Sequence, residues 1–532
     1  MKIQQQQKTA KRIPSATACL ALWGLINTGL MLMPEAACLA AKPQEIKFTV
    51  NRFKVEGASP LSQQAIDDYF QPLQQKQYNL KELQQVGKGL ELAIREQGYP
   101  FYRVNLPPQT LSGGEVKLQV ISFALGEVKV EGNHYFNRDN IIASLPVLTK
   151  PGSPNTQDLS ESLKVANKHP SKQLQLTFKQ SETADKIDAK VTVAEQHPYQ
   201  ASLIMNNAGT PKSGDYRMTG MLQYSNLWGL DHVLNGSYTT SPDHADDVRQ
   251  YGVSYSMPVY QLKGWLSAYY AYSNVNIGTV ATDITVTGSG EMYGLHYQQF
   301  LPKFGKYEHS LDFGLDNRYF INDVQFQNIP LGTNVRSAPV SILYKGEYPW
   351  LNTHSSYYLQ WVGNTDIGGH NNDSFYNATR FGAKRDWDLL RYGANFSANF
   401  NQWLVQTTFT GQYSSAPLIA GEQLGIGGNY DVRGYQQRET SSDSGEIVKF
   451  EITTPPWQQI NLFAFYDYGH GHLQNPLPGQ TADLDLHSTG FGARWQWREN
   501  VMANIALASV LSDGPLTQAG MNRVIANIVL RY

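Results

Sequence analysis

The feature that most constrains this chain is a long run of β-patterned segments that begins after His197-Pro198 and continues through Tyr532. Each segment is about 9–14 residues long and alternates apolar or aromatic positions with small or polar ones, as in Val253-Ser254-Tyr255-Ser256-Met257. Helices of that length would show a 3.6-residue period instead. Sixteen segments are counted, starting near Tyr199, Tyr216, His232, Arg249, Gly264, Glu291, Tyr307, Arg336, Tyr357, Asp388, Trp403, Gly445, Ile460, His487, Val501 and Asn522.

Their connections alternate in length. Short turns fall at Leu227–Leu230, Gln261–Lys263, Pro302–Gly305, Leu351–Ser355, Pro455–Gln459 and Arg498–Asn500, with longer loops such as Asn274–Gly288, Asn322–Asn334 and Asp366–Arg385 between them. An even number of strands with both ends on one side predicts this alternation, which is that of an outer-membrane barrel. A soluble sandwich has no reason to keep it for sixteen strands. Composition agrees: only 17% of residues are charged, against 31 Tyr and 45 Gly. No central window approaches the roughly 20 apolar residues of a membrane helix. Lys+Arg (43) and Asp+Glu (45) nearly balance, which argues against a nucleic-acid partner.

The chain before the barrel reads differently. Phe48, Val50, Phe53 and Val55 make a β segment, followed by a helical patch (Ser62 to Phe70) and a longer helix. Asn79 and Glu82 have capping-box spacing, and Leu83, Val86, Leu90 and Ile94 form one apolar stripe. Tyr102–Asn105 and Val116–Ile121 then read as two strands, giving the order β-α-α-β-β. That order recurs through Val128/Val130, a helix near Ile141–Leu145, a helix marked by Leu159, Leu163 and Ala166, and a hairpin from Leu174 to Val193. Each unit is expected to present an exposed strand edge, to which an extended peptide can add. A plain spacer role stays open.

At the N-terminus, Lys2, Lys8, Lys11 and Arg12 precede an apolar run from Ala16 to Met33 and the small residues Ala36-Ala37-Cys38-Leu39-Ala40. This order predicts a secretory signal peptide over residues 1–40, whose removal takes away both cysteines, Cys19 and Cys38.

The longest loop, about 414–444, contains Val432-Arg433-Gly434-Tyr435, and Phe465, Asp467 and Gly469 follow two strands later. On these motifs the chain resembles the outer-membrane transporters of two-partner secretion, the hemolysin/hemagglutinin secretion-activation family. The resemblance implies two POTRA-like domains (47–122 and 123–196), then a 16-stranded transmembrane antiparallel β-barrel (197–532). It also implies that the loop folds back into the lumen, where Arg433 meets Asp467. Some members carry an N-terminal plug helix, for which the short stretch Ala41–Ile46 leaves little room. The last strand places Val524, Ala526, Ile528, Leu530 and Tyr532 on one face and Arg523, Asn527 and Arg531 on the other. Apolar-out, polar-in and ending in an aromatic, it resembles the assembly signal of bacterial outer-membrane barrels, carried by Ile528, Leu530 and Tyr532.

Gly469-His470-Gly471-His472 lacks a nearby carboxylate or Cys set in sequence, so no metal is expected. Gly425-Ile426-Gly427-Gly428 lies in no strand-loop-helix unit, and no Walker loop or G-x-S-x-G elbow is present. No cofactor, enzyme activity or nucleotide-driven step is therefore expected. The resemblance implies an outer-membrane pore that captures an unfolded, large exoprotein by its N-terminal secretion domain and passes it to the cell surface. Periplasmic chaperones, the barrel-assembly machinery and outer-membrane lipid are the other expected partners. An assembly insertase, or a passive porin, stays open as an alternative.

Overall fold

The computed structural model describes residues 46–532, apart from 111–112, 212, 276–277, 282–283, 287–288, 322–324, 327–328 and 331. The expected signal peptide and the plug-helix question lie outside the described residues.

The first unit packs helices Gln63–Phe70 and Leu80–Glu96 on a three-stranded sheet of Arg52–Glu56, Glu115–Ser122 and Tyr102–Asn105, in that order. The outer strand Arg52–Glu56 runs parallel to the central one. The long helix starts where Asn79 accepts from the Glu82 N–H (2.8 Å) and the Glu82 carboxylate accepts from the Asn79 N–H (2.7 Å). Its stripe of Leu83, Val86, Leu90 and Ile94 is buried against Val104, Val116, Leu118 and Val120. Leu90 is fully enclosed, so Leu90→Ala would cost about 2–5 kcal/mol. The second unit repeats the plan: helices Arg138–Ala143 and Thr156–Asn167 lie on strands Ala124–Glu131, Lys186–Glu195 and Lys172–Gln180.

The barrel strands, numbered 1 to 16, are Tyr199–Asn206, Arg217–Leu227, His232–Thr240, Gln250–Val259, Gly264–Ser273, Gly290–Phe300, Glu308–Phe320, Pro339–Trp350, Thr353–Asn364, Asp388–Phe400, Trp403–Tyr413, Ser444–Thr453, Ile460–His472, Asp483–Trp497, Val501–Val510 and Asn522–Arg531. Neighbours are antiparallel, and strand 16 pairs with strand 1 to close the ring. A short piece, Val335–Ser337, continues strand 8 along the end of strand 7. Large apolar side chains such as Leu222, Leu315, Leu359 and Phe491 stand exposed on the outer wall. Toward the short-turn rim the exposed residues become aromatic, among them Trp350, Phe400, Trp457 and Trp497, as an interfacial girdle requires.

Several expectations change in detail. Tyr357 is not where strand 9 begins: Leu351-Asn352 is a two-residue turn and the strand starts at Thr353. A further tight turn, Asn401-Gln402, has both residues at positive φ (48° and 71°). Positive φ at both central positions matches the right-handed twist of a hairpin. The longer connections carry structure of their own: Gly278–Ala281 pairs with Ile284–Val286, and Asp373–Thr379 is a helix. The inner face of strand 16 is not purely polar. Ile525 and Val529 are buried there, and Ile525 packs with Phe463, Phe465, Ala506 and Ala508.

The second unit is fastened to the short-turn rim. Asn140 Nδ2 donates to Gly229 O (2.8 Å), Trp265 Nε1 donates to Val165 O (3.2 Å), and Lys263 pairs with Asp158 (2.8 Å) and Glu161. Val165, Val233, Trp265 and Phe300 form an apolar patch across the junction.

Candidate functional site

The loop between strands 11 and 12 lies against the inner wall. Its stem is a small ribbon in which Leu424–Ile426 pairs antiparallel with Thr440–Ser442. The stretch between carries Val432-Arg433-Gly434-Tyr435. Val432 and Tyr435 are fully buried, packed with Ile426, Ile447, Leu486 and Val510. The Tyr435 hydroxyl sits 2.7 Å from Ser512 O and accepts from the His487 N–H (3.1 Å).

Two glycines let the loop lie this close. Gly434 has φ 98°, and a Cβ there would meet Val510 Cγ2 at 3.1 Å. A Cβ on Gly469 would come within 2.5 Å of Ile426 Cγ2 and 2.9 Å of Val432 Cγ2. The small residue in each motif is therefore what seats loop on wall.

Arg433 sits between two wall strands. Its Nε lies 2.6 Å from Asp467 Oδ2 and its Nη2 2.8 Å from Asp467 Oδ1, a two-pronged pair. The Arg433 backbone N–H donates to Asp467 Oδ2 as well (3.1 Å). Its remaining prong, Nη1, reaches Glu451 Oε2 at 3.0 Å. Strand register explains the cage, because Glu451 stands opposite Phe465 and Lys449 opposite Asp467. The guanidinium lies over the Phe465 ring, 3.5 Å from its centroid. Two residues earlier Phe463 carries Arg494 in the same way (4.4 Å), and Arg494 Nη2 pairs with Glu451 Oε1 (2.7 Å). Asp467 is wholly buried and the Arg433 side chain 12% exposed. Removing one partner of such a pair costs about 3–5 kcal/mol, far more than at a solvated loop tip.

Other anchors of the loop carry no motif. Glu422, fully buried, accepts from Arg318 Nη1 (2.7 Å) and Ser337 Oγ (2.6 Å). Asp443, also fully buried, takes Arg380 Nη2 (2.7 Å) and the Leu418 (2.9 Å) and Gln474 (2.7 Å) backbone N–H groups. Glu439 accepts from the N–H groups of Leu516 (2.6 Å) and Thr517 (2.7 Å). Acidic residues in a Gly/Ser-rich loop read as solvated, so nothing in the sequence marked these three.

The structure brings Val432, Arg433, Gly434 and Tyr435 together with Phe465, Asp467 and Gly469. Ile528, Leu530 and Tyr532 lie apart from them on the outer wall, 44%, 39% and 95% exposed. The expectation that His470 and His472 lack a nearby carboxylate is corrected. Strand 14 places Asp485 3.0 Å from His470 Nδ1 and Asp483 2.7 Å from His472 Nδ1. Cross-strand register, not sequence proximity, makes these pairs.

Comparison with known proteins agrees with this architecture. A family model described as haemolysin secretion/activation protein ShlB/FhaC/HecB matches residues 185–495, and one described as POTRA domain, ShlB-type, matches residues 48–122. Outer membrane transporter CdiB of Escherichia coli O6:K15:H31 (strain 536 / UPEC) is 23% identical over 440 residues, covering 78% of this chain and 70% of the relative. Heme/hemopexin transporter protein HuxB of Haemophilus influenzae (strain 86-028NP) is 18% identical over 488 residues, 88% of this chain and 85% of the relative. The solved structure of CdiB from Escherichia coli has the same fold, with a TM-score of 0.76 and 19% identity over 94% of this chain and 93% of that one. The chain belongs to the haemolysin secretion/activation family ShlB/FhaC/HecB, the two-partner secretion transporters whose barrel spans the outer membrane, whose POTRA units face the periplasm, and whose activity is the export of a secreted partner protein.

Proposed function

We propose that the first POTRA-like unit captures the N-terminal secretion domain of a large, unfolded exoprotein by strand addition, and that the loop carrying Arg433 sets the width of its path. The observation that carries this reading is the Arg433 cage: one loop side chain tied to strands 12 and 13 at once. With the stem of the loop held at Glu422 and Asp443, the segment that carries Arg433 has two well-separated arrangements, seated and released. Seated, it fills part of the lumen; released, it frees that volume for an extended chain. We assign the chain no catalysis, and folding of the partner outside the cell supplies the direction of transport.

Periplasmic chaperones and the barrel-assembly machinery belong to the same proposal as partners in the chain's own insertion, with Ile528, Leu530 and Tyr532 as the recognised face. Outer-membrane lipid covers the exposed apolar belt. The test is deletion of Phe48–Ile121 beside Arg433→Ala, each scored for insertion and for export of the exoprotein. Deletion should abolish export with the barrel still inserted, while Arg433→Ala should reduce export and change conductance. Full export by both variants would overturn the reading.

A further inference from the structure

The ring is closed unevenly. Strand 16 pairs with strand 15 over nine positions, from Val501↔Leu530 to Ser509↔Asn522. With strand 1 it pairs over only five, from Asn527↔Asn206 to Arg531↔Ser202. Strand 1 ends at Asn206, and beyond one further backbone bond, from the Asn207 N–H to Ala526 O (3.3 Å), the long-loop half of strand 16 has no partner strand on that side.

One side chain stands in for it. Asn207 Nδ2 donates to Val524 O (2.7 Å), and the Ala526 N–H donates to Asn207 Oδ1 (3.0 Å). The carboxamide thus does for strand 16 what a peptide unit of a longer strand 1 would do. Its oxygen has a second lone pair, and this accepts from Asn429 Nδ2 of the in-folded loop (3.2 Å). Next to it Asn206 Nδ2 donates to the Tyr430 hydroxyl (3.3 Å), and Lys449 Nζ donates to Tyr430 O (2.6 Å). Asn429 and Tyr430 immediately precede the Asp431-Val432-Arg433 turn into the cage. A cavity of about 250 Å³ lies beside these contacts, lined by Asn206, Asn429, Tyr430, Arg433, Asn504 and Asn527. The same short segment therefore touches the wall at Asp467 and the seam at Asn207.

We propose that Asn207 is a positioning residue that couples the loop to the seam. While Arg433 keeps the loop seated, Asn429 steadies the Asn207 carboxamide across Val524 and Ala526. When the loop leaves, the long-loop half of strand 16 loses its substitute partner and the five backbone pairs below it remain. The inference rests on the proposed reading only in that the loop is releasable, and its test reads the seam directly, without any exported partner.

The experiment is amide hydrogen exchange by mass spectrometry on the purified full chain in detergent, with heat-modifiable gel mobility as the check of folding. Asn207→Ala, Asn429→Ala and Arg433→Ala should each speed exchange at Ala526 by about five- to tenfold, the factor for one hydrogen bond, while Asn527–Arg531 keep their rates. If Asn207→Ala does not fold, Asn429→Ala carries the same test from the loop side. An unchanged Ala526 rate in Arg433→Ala, with exchange in 424–442 increased, would show that loop and seam are independent. Faster exchange along the whole of strand 16 would mean general loosening of the barrel, and would equally overturn the proposal.

Discussion

Lys172 and Asp231 form an ion pair that neither solvent nor membrane reaches: Nζ lies 2.6 Å from Oδ2, with side chains 0% and 1% exposed. Lys172 belongs to the second POTRA-like unit and Asp231 to the first periplasmic turn of the barrel. Asn140 Oδ1 takes a further Lys172 proton (2.9 Å), the Tyr260 hydroxyl donates to Asp231, and the Phe136 ring lies 5.2 Å from Nζ. Burial pulls the Lys172 pKa down, and Asp231 opposes that pull. The unit is thereby fixed to the rim rather than tethered to it.

Breaking this pair should undock the unit. Lys172→Ala or Asp231→Ala leaves one buried charge without its partner, a cost of about 3–5 kcal/mol. Protease should then cut within 196–199 in either single variant and spare the wild type. Lys172→Met combined with Asp231→Leu should recover much of the protection, because it removes both charges together. Equal resistance in all four proteins would show that the apolar patch alone holds the junction.

Docking should also weaken in acid. His169 is fully buried between the unit and the barrel, with Nε2 2.5 Å from Ser225 O and Nδ1 accepting from the Ser171 N–H (3.2 Å). Burial first, and then the Lys172 charge, lowers its pKa to about 4, with Asp231 pulling the other way. An undocked His169 titrates near 6.5. Stability is therefore complete above that value and lost as pH falls toward 4, by an amount on the order of 3 kcal/mol. Protease sensitivity of the junction against pH should show this window, and His169→Gln should flatten it.

The cage predicts an order among its variants. Asp467→Ala leaves Arg433 with Glu451, whereas Arg433→Ala strands the fully buried Asp467 and leaves Glu451 with Arg494 alone. Arg433→Ala should thus perturb export and conductance more than Asp467→Ala. The double variant should match Arg433→Ala, since one shared contact is removed twice. Additive losses, measured as single-channel conductance and exported partner, would mean that the two residues act separately.

Gly469→Ala tests seating without touching charge. Its Cβ would collide with Ile426 and Val432, lifting the loop while strand 13 keeps its backbone pairs. The expected outcome is an intact, heat-modifiable barrel with larger conductance and a loop newly open to protease. Wild-type conductance would show that the loop absorbs the extra methyl group.

The barrel was legible because its code is local. Period-two alternation and turn spacing place each strand start within about four residues of where it lies. The least accurate starts, Thr353 and Asp483, open on mostly polar residues, Thr353-His354-Ser355-Ser356 and Asp483-Leu484-Asp485, which read as a continuation of the turn or loop before them. Asn401-Gln402 carries no glycine, so its positive φ values are invisible in sequence. At the site, Arg433 and Asp467 stand in motifs that can be recognised, and the structure joins them. Glu451 belongs to no motif, and only the register of strands 12 and 13 carries it to Arg433. Asn207, Glu422 and Asp443 were hidden for the same reason: their partners lie across the ring, and pattern within a window says nothing about distance around a circumference.

The seam has a consequence for how the molecule is made. Strand 1 emerges from the ribosome first among the sixteen, yet its second neighbour, strand 16, is the last to be synthesised. Every other strand meets a partner adjacent in the chain, at little loop-closure cost, whereas this pairing joins residues more than 300 positions apart, Asn206 to Asn527. Until then strand 1 offers a bare edge, the kind of surface on which chains aggregate. The POTRA-like unit docked a few residues upstream holds that edge at the rim. By loop-closure cost alone, ring closure is the most expensive of the sixteen pairings, and docking of the unit beside strand 1 lowers that cost by fixing one of its two edges in place.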